Sequence, residues 1–206
     1  MNPPSELGPW LFIAIAVLGV VVLGWLWFRR PSGTDRLESD ACDPYRRWVQ
    51  NVFLLVTTDC DYGHLPGAEA RRILAHWWDV YGPLEHRRTL EQLGHAPHQD
   101  HAWDLIRFIL VSRLGAAASL CDDDVSWAEI LPVARRLQAA YSGWRPMARA
   151  YLLARRQSKG LSLDGCADDL SMQQLLDNLA RLDDTRWAEQ PFDTPLCIDY
   201  AEVIDG

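Results

Sequence analysis

The chain has 206 residues, 49% of them hydrophobic, and ten tryptophans, which is enough apolar material for one ordinary core and too much for a disordered chain. It carries 20 basic and 28 acidic residues for a formal net charge of −8, and all of that excess falls after Gln157 and Ser158, where Lys159, Arg181 and Arg186 face a long run of carboxylates. No basic face is available for phosphates, so no nucleic acid is expected as a partner.

Residues 1–9 form a short polar lead. Trp10 to Phe28 is then free of charge. As a helix it would be about 28 Å long, close to the hydrocarbon thickness of a bilayer. Trp10 at one end, and Trp25, Trp27 and Phe28 at the other, are placed as an interfacial aromatic belt would be. A cleaved signal peptide would need a basic start and small residues before its cleavage site; this segment has Glu6 before it and Trp-Leu-Trp-Phe at its end. The reading is a single-pass transmembrane helix over 10–28 that contacts the lipid bilayer. Arg29, Arg30 and Arg36 follow it, so the positive-inside rule puts residues 1–9 outside and the following domain in the cytoplasm, at a bacterial inner membrane. Cys42, Cys60, Cys121, Cys166 and Cys197 are odd in number and widely spaced, as for reduced cytosolic thiols.

Residues 29–40 read as a polar linker, and 41–206 as a soluble domain. Asp43-Pro44 is an N-cap followed by a first-turn proline, opening a helix from Tyr45 to about Thr57. Thr58 to Pro66 reads as a turn. A second helix is expected from Gly67 to Val80, with Ile73, Leu74, Trp77 and Trp78 on its apolar side. Gly82-Pro83 starts a third, Leu84 to Leu93. From His98 to Leu114, Trp103, Ile106, Ile109, Leu110 and Leu114 recur at three- and four-residue steps, the period of an amphipathic helix. Asp122, Asp123 and Asp124 place negative charge at the start of the next helix, which runs to about Tyr141. Ser142-Gly143 interrupts, another helix follows to about Gln157, and Ser171 with Gln174 reads as a capping box. After Asp183, Pro191 and Pro195 suggest an irregular strap. No alternating run is long enough for a strand, so the class is all-α.

Three constellations could carry chemistry. His95, His98 and His101 recur every three residues beside Asp100 and Asp104, donors that suit zinc or iron. Pro97 separates His95 from the others and no zinc signature is present, so a solvated helix start is the simpler reading. No metal, cofactor or catalytic residue is assigned. His64 and Cys60 share a turn, which is too little for a nucleophile and base. Asp104 and Arg107 stand three apart, an ion-pair spacing, beside core positions. A carboxylate buried there must be paired, and Arg149 or Arg155 on a later helix could supply the partner. With Trp103, Trp144 and Tyr151 these residues are the candidate binding site: Trp103, Asp104, Arg107, Trp144, Arg149, Tyr151 and Arg155. The remaining tryptophans read as core.

The run Ala102-Trp103-Asp104-Leu105-Ile106-Arg107, Trp127, the segment Ala134 to Trp144 and the segment Ala150 to Arg155 together resemble the bacterial domain of unknown function numbered 1266. That family shows an Ala-Trp-Asp plus Arg helix, a helix ending before a Ser-Trp pair, and a Tyr-containing helix closing on Gly-Arg. Here Gly143 replaces the Ser and Ala154 the Gly. The likeness covers about Gly67 to Gln157, with Trp187 and Pro191 as further points. It implies a helical fold and a bacterial origin, and transfers no activity, cofactor or catalytic residue. The expected function is therefore a membrane-anchored, non-enzymatic interaction or accessory module with a protein partner, toxin immunity being one specific form. The alternative is a ligand-binding or metal-assisted enzyme centred on Asp104 and Arg107.

Overall fold

Asp43 caps the first helix of the domain as its side chain allows: Oδ1 accepts from the backbone N–H of Tyr45 at 2.7 Å and of Arg46 at 3.2 Å. In the computed structural model this helix, α1, spans Pro44–Phe53. It stops short of Thr57 because the N–H groups of Leu55 and Val56 bond back three residues, to Val52 and Phe53, tightening the chain into a turn. The structure describes residues 40, 42–56, 62–95, 102–158, 170–183 and 186–197. The chain divides into two compact units, Met1–Glu38 and Ser39–Gly206, and every described residue belongs to the second. The segment 10–28 lies outside the described residues; among those, no helix is long and apolar enough to cross a membrane. Asp40, read from sequence as the end of a linker, is buried within the helical unit.

A 3-10 turn at Tyr62–His64 precedes α2, Gly67–Trp78. α2 ends two residues before the expected Val80, because Asp79 turns left-handed at φ 53°. The N–H of Val80 then closes on the Leu74 carbonyl at 3.2 Å, a Schellman-type stop. Pro83 takes the first position of α3, Pro83–Gly94.

The centre of the domain is α4, Ala102–Ala117. It packs against α1, α2, α3, the 3-10 turn and two later helices, so it is buried on nearly every side. That explains why its sequence is apolar almost all round, where a surface helix would be two-faced. Leu105, Ile106, Ile109 and Leu114 are each within 1% of full burial, worth roughly 1.5–3 kcal/mol apiece relative to exposure. α5 spans Asp123–Ala140 and carries Pro132 in its interior. That proline has no N–H for the Ala128 carbonyl. α6 is Trp144–Ser158. α7 is Leu170–Asp183, which begins before Ser171, so Ser171 stands in the first turn and not at the cap. α8 is Arg186–Glu189. All regular elements among the described residues are helical.

The chain from Gln190 to Cys197 is the expected strap, and it is held closely. Three indole N–H groups tie it and α8 to the bundle: Trp48 to the Phe192 carbonyl (2.8 Å), Trp144 to the Gln190 carbonyl (2.8 Å), and Trp187 to the Asn51 carbonyl (3.1 Å). Gln138 donates to the carbonyls of Phe192 and Thr194, and Arg135 to that of Leu196. The Gln190 side chain closes the other way, accepting from Arg47 and Asn51 and donating to the Pro44 carbonyl. Trp144 stacks on Trp187 at 5.5 Å and 8°, with Trp48 and Phe192 packed beside it.

Candidate functional site

The residues singled out from sequence separate into two places. Trp103, Asp104 and Arg107 lie within one turn or so of α4, and Tyr151 comes from α6. The rings of Trp103 and Tyr151 are 5.2 Å apart. The Arg107 guanidinium carbon sits 4.9 Å from the Trp103 ring centre and 4.6 Å from that of Trp78, at the end of α2. Trp78 was not among the expected site residues; its neighbour Trp77, read as core, is 63% exposed. Asp104 does meet Arg107, at 3.7 Å, with side chains 20% and 32% exposed. That is too long for a hydrogen bond, and no ion pair joins Asp104 to Arg149 or Arg155 among the described residues. Arg149 is exposed. Arg155 reaches the cluster electrostatically, through Tyr151. Trp144 is elsewhere, serving as one of the strap's indole anchors.

Burial dominates the electrostatics of this cluster. It pulls the Arg107 guanidinium below its ordinary value, partly offset by Asp104. It pushes the Tyr151 phenol up to about 12, against the opposing pull of Arg155 and Arg107, so the hydroxyl keeps its proton at neutral pH. The indole N–H of Trp78 is buried and has no acceptor among the described residues.

A second polar cluster lies deeper and was not anticipated. Arg113, on α4, is only 1% exposed. Its Nη1 meets Asp123 Oδ1 at 2.9 Å and Ser126 Oγ at 3.3 Å, its guanidinium lies 3.9 Å from the Trp127 ring centre, and its Nε has no acceptor among the described residues. Gly63 of the 3-10 turn is pressed against this guanidinium, leaving no room for a Cβ. Ser112 and Ser126 share a hydrogen bond of 2.9 Å, and the Tyr45 hydroxyl donates to the Trp127 carbonyl at 2.7 Å. On the α1 side, Asp40 bridges Arg46 Nη1 (2.7 Å) and His64 Nε2 (3.1 Å). One signal for this cluster was available. Arg113 falls four residues after Ile109 on the apolar stripe of α4, and Asp123 heads the next helix. A charge on a core stripe needs a partner, and the nearest acidic run in sequence was the place to look.

Of the histidine triad, His98 and His101 lie outside the described residues, as do Asp100, Cys60 and Cys166. His95 is exposed and its Nδ1 contacts its own helix, at the Glu91 carbonyl. No group of three or more metal-type donors occurs among the described residues. Cys42, Cys121 and Cys197 are free thiols. An open, largely apolar groove of about 340 Å³ runs between α3, α4 and α5, floored by Leu90, Phe108 and Val133. The Arg87–Glu129 pair (2.6 Å) lies on its rim.

The arrangement defines a class: an all-helical domain wrapped around one buried central helix, with an arginine clamped between indoles at its edge. The chain belongs to the family described as "Protein of unknown function (DUF1266)", whose profile matches residues 87–192. That match starts later than the resemblance read from sequence and runs further, taking in α7, α8 and the strap as far as Phe192. No curated protein and no solved structure matches the chain.

Proposed function

We propose that the helical unit is a protein-interaction module, held at the cytoplasmic face of a bacterial inner membrane by a transmembrane helix over residues 10–28. The observation that carries the interaction reading is the corner between α2 and α3. Within eight residues, Trp77, Tyr81 and Leu84 are 63%, 75% and 59% exposed, more than the other exposed large hydrophobics among the described residues, Val125 and Leu153. Amphipathic aromatics left in water at one corner are the usual anchors of protein contacts. Arg113, Asp123, Asp40, Arg46 and His64 are engaged with one another inside the fold, which favours a structural role for them over chemistry on a substrate. The anchor reading is supported by the uncharged run 10–28 and by Arg29 and Arg30 after it. The acidic excess after Lys159 would steer a basic partner toward the domain.

The test is photo-crosslinking in cells, with a crosslinking residue at position 77 or 81 of the full-length chain and at exposed Gln157 as control. One discrete product from 77 and 81 but not from 157, retained when residues 1–30 are deleted, is the expected result. Equal or absent products at all three positions would end the interaction reading. Membrane fractionation of the same two chains tests the anchor separately.

A further inference from the structure

The edge cluster on α4 has an imbalance that the interaction reading does not use. Three donors belong to it: the Arg107 guanidinium beside the Trp78 and Trp103 rings, the buried Trp78 indole N–H with no acceptor among the described residues, and the hydroxyl of Tyr151, whose ring packs on that of Trp103. The acceptor side is nearly empty. Asp104 is the one carboxylate paired with Arg107 among the described residues, and at 3.7 Å it leaves the guanidinium's hydrogen-bonding edge unused. Two indole rings hold that guanidinium in place, 4.6 and 4.9 Å from its carbon, while its side chain stays 32% exposed. A cation fixed by aromatic neighbours has little rotamer freedom left to lose when an anion arrives.

We infer that Arg107, Trp78 and Tyr151 form a binding site for a carboxylate, taken in plane by the guanidinium edge, with the Trp78 and Trp103 rings supplying apolar walls for whatever the carboxylate is attached to. The planar fork of arginine matches a planar carboxylate in two parallel hydrogen bonds, which a lysine cannot reproduce. The aromatic walls favour an acid with an apolar substituent over a bare inorganic anion. A small organic acid and an acidic side chain of a peptide share this chemistry. The exposed α2–α3 corner adjoins this site through Trp77 and Trp78, and the site is defined by its donors on α2, α4 and α6.

Asp104 gives the proposal a signature. As the resident acceptor and a like charge to the ligand, it opposes binding, so its removal strengthens the site. A residue holding the site together would have the opposite effect. The experiment is isothermal titration of the full-length protein in non-ionic detergent with three probes: benzoate, the acetylated and amidated pentapeptide Gly-Gly-Glu-Gly-Gly, and inorganic phosphate. Saturable binding of benzoate, of the peptide, or of both is expected, and which of them binds tells the source of the carboxylate. Arg107→Lys should weaken it on the order of tenfold, as loss of a bidentate pair does. Trp78→Phe, which keeps the wall and removes the donor, should weaken it by a smaller factor. Asp104→Asn should tighten it. Thermal melts confirm that each variant is folded. No saturable binding of either carboxylate, binding of phosphate alone, or weaker binding in folded Asp104→Asn would each overturn the proposal.

Discussion

The Arg113–Asp123 pair should respond very unequally to loss of its two members. Asp123→Ala leaves a guanidinium that is 1% exposed with no carboxylate partner. Breaking a buried pair from one side costs about 3–5 kcal/mol. The Asp123 side chain is 32% exposed, so some water can reach the vacated position, which argues for the lower end, about 3 kcal/mol. Arg113→Met reverses the situation. The carboxylate left behind has access to water and stands in the first turn of α5, where the helix dipole favours it. The Met side chain fills most of the arginine's volume, so the loss is the contact with Trp127, the partly exposed pairing with Asp123 and the long bond to Ser126, which keeps its bond with Ser112, about 1 kcal/mol net. Urea denaturation of residues 39–206 measures both. A difference of about 2 kcal/mol corresponds to roughly 1 M between the two midpoints for an m-value near 2 kcal/mol/M. Adding Arg113→Met to Asp123→Ala should restore most of the loss. If Arg113→Met proved as damaging as Asp123→Ala, or more so, the pair would not be governed by the cost of an uncompensated buried cation.

Other consequences can be measured on the same unit. Burial pulls the His86 imidazole below its usual 6.5, outweighing the Val111 carbonyl to which its Nε2–H donates at 3.1 Å. The unfolded chain then binds the proton more readily than the fold does, so stability is full above about pH 6.5 and falls as pH drops below it. His86→Gln should flatten that part of the stability–pH curve; an unchanged curve would remove His86 as its source. Gly115→Ala drives a Cβ into the His86 ring, and should cost about 1–3 kcal/mol in the same urea experiment. Trp144→Phe should destabilise more than Trp48→Phe. Both lose an indole donor, but the Phe192 carbonyl freed by the second keeps its bond from Gln138, whereas the Gln190 carbonyl has no such substitute among the described residues. Burial raises the Cys121 thiol to about 11, so peptide mass spectrometry after iodoacetamide at pH 8 should show it alkylated on the order of a hundredfold more slowly than exposed Cys42 and Cys197.

Local signals carried most of the helix pattern. Asp43-Pro44, Gly82-Pro83 and the acidic run before Val125 are stereochemical instructions acting over a few residues, and the helices begin where they say. Ends were less legible. Nothing in the residues around Trp78 requires Asp79 to turn left-handed, a conformation that packing of the buried Val80 makes worthwhile. Within the site, Asp104–Arg107 could be read because both lie on one helix, and Tyr151 because its segment, Ala150 to Arg155, carries the resemblance to the family. Trp78 could not, since which of two adjacent tryptophans turns inward depends on how α2 rolls against α4. The Asp40–His64 contact was hidden for a similar reason: 24 residues and a turn separate two side chains that meet only in the folded chain.

The strap also dictates an order of events during synthesis. The Trp48 indole on α1 waits for a carbonyl 144 residues further along. At 5–20 residues per second, that is roughly 7–30 s after Trp48 itself is made. Through this interval α1, and towards its end the strap-facing side of α6, lack their partner, leaving Trp48 and then Trp144 with their apolar surroundings uncovered. The strap is thus the segment that closes the fold, and nascent chains of this protein should be chaperone clients until residues 186–197 have left the tunnel.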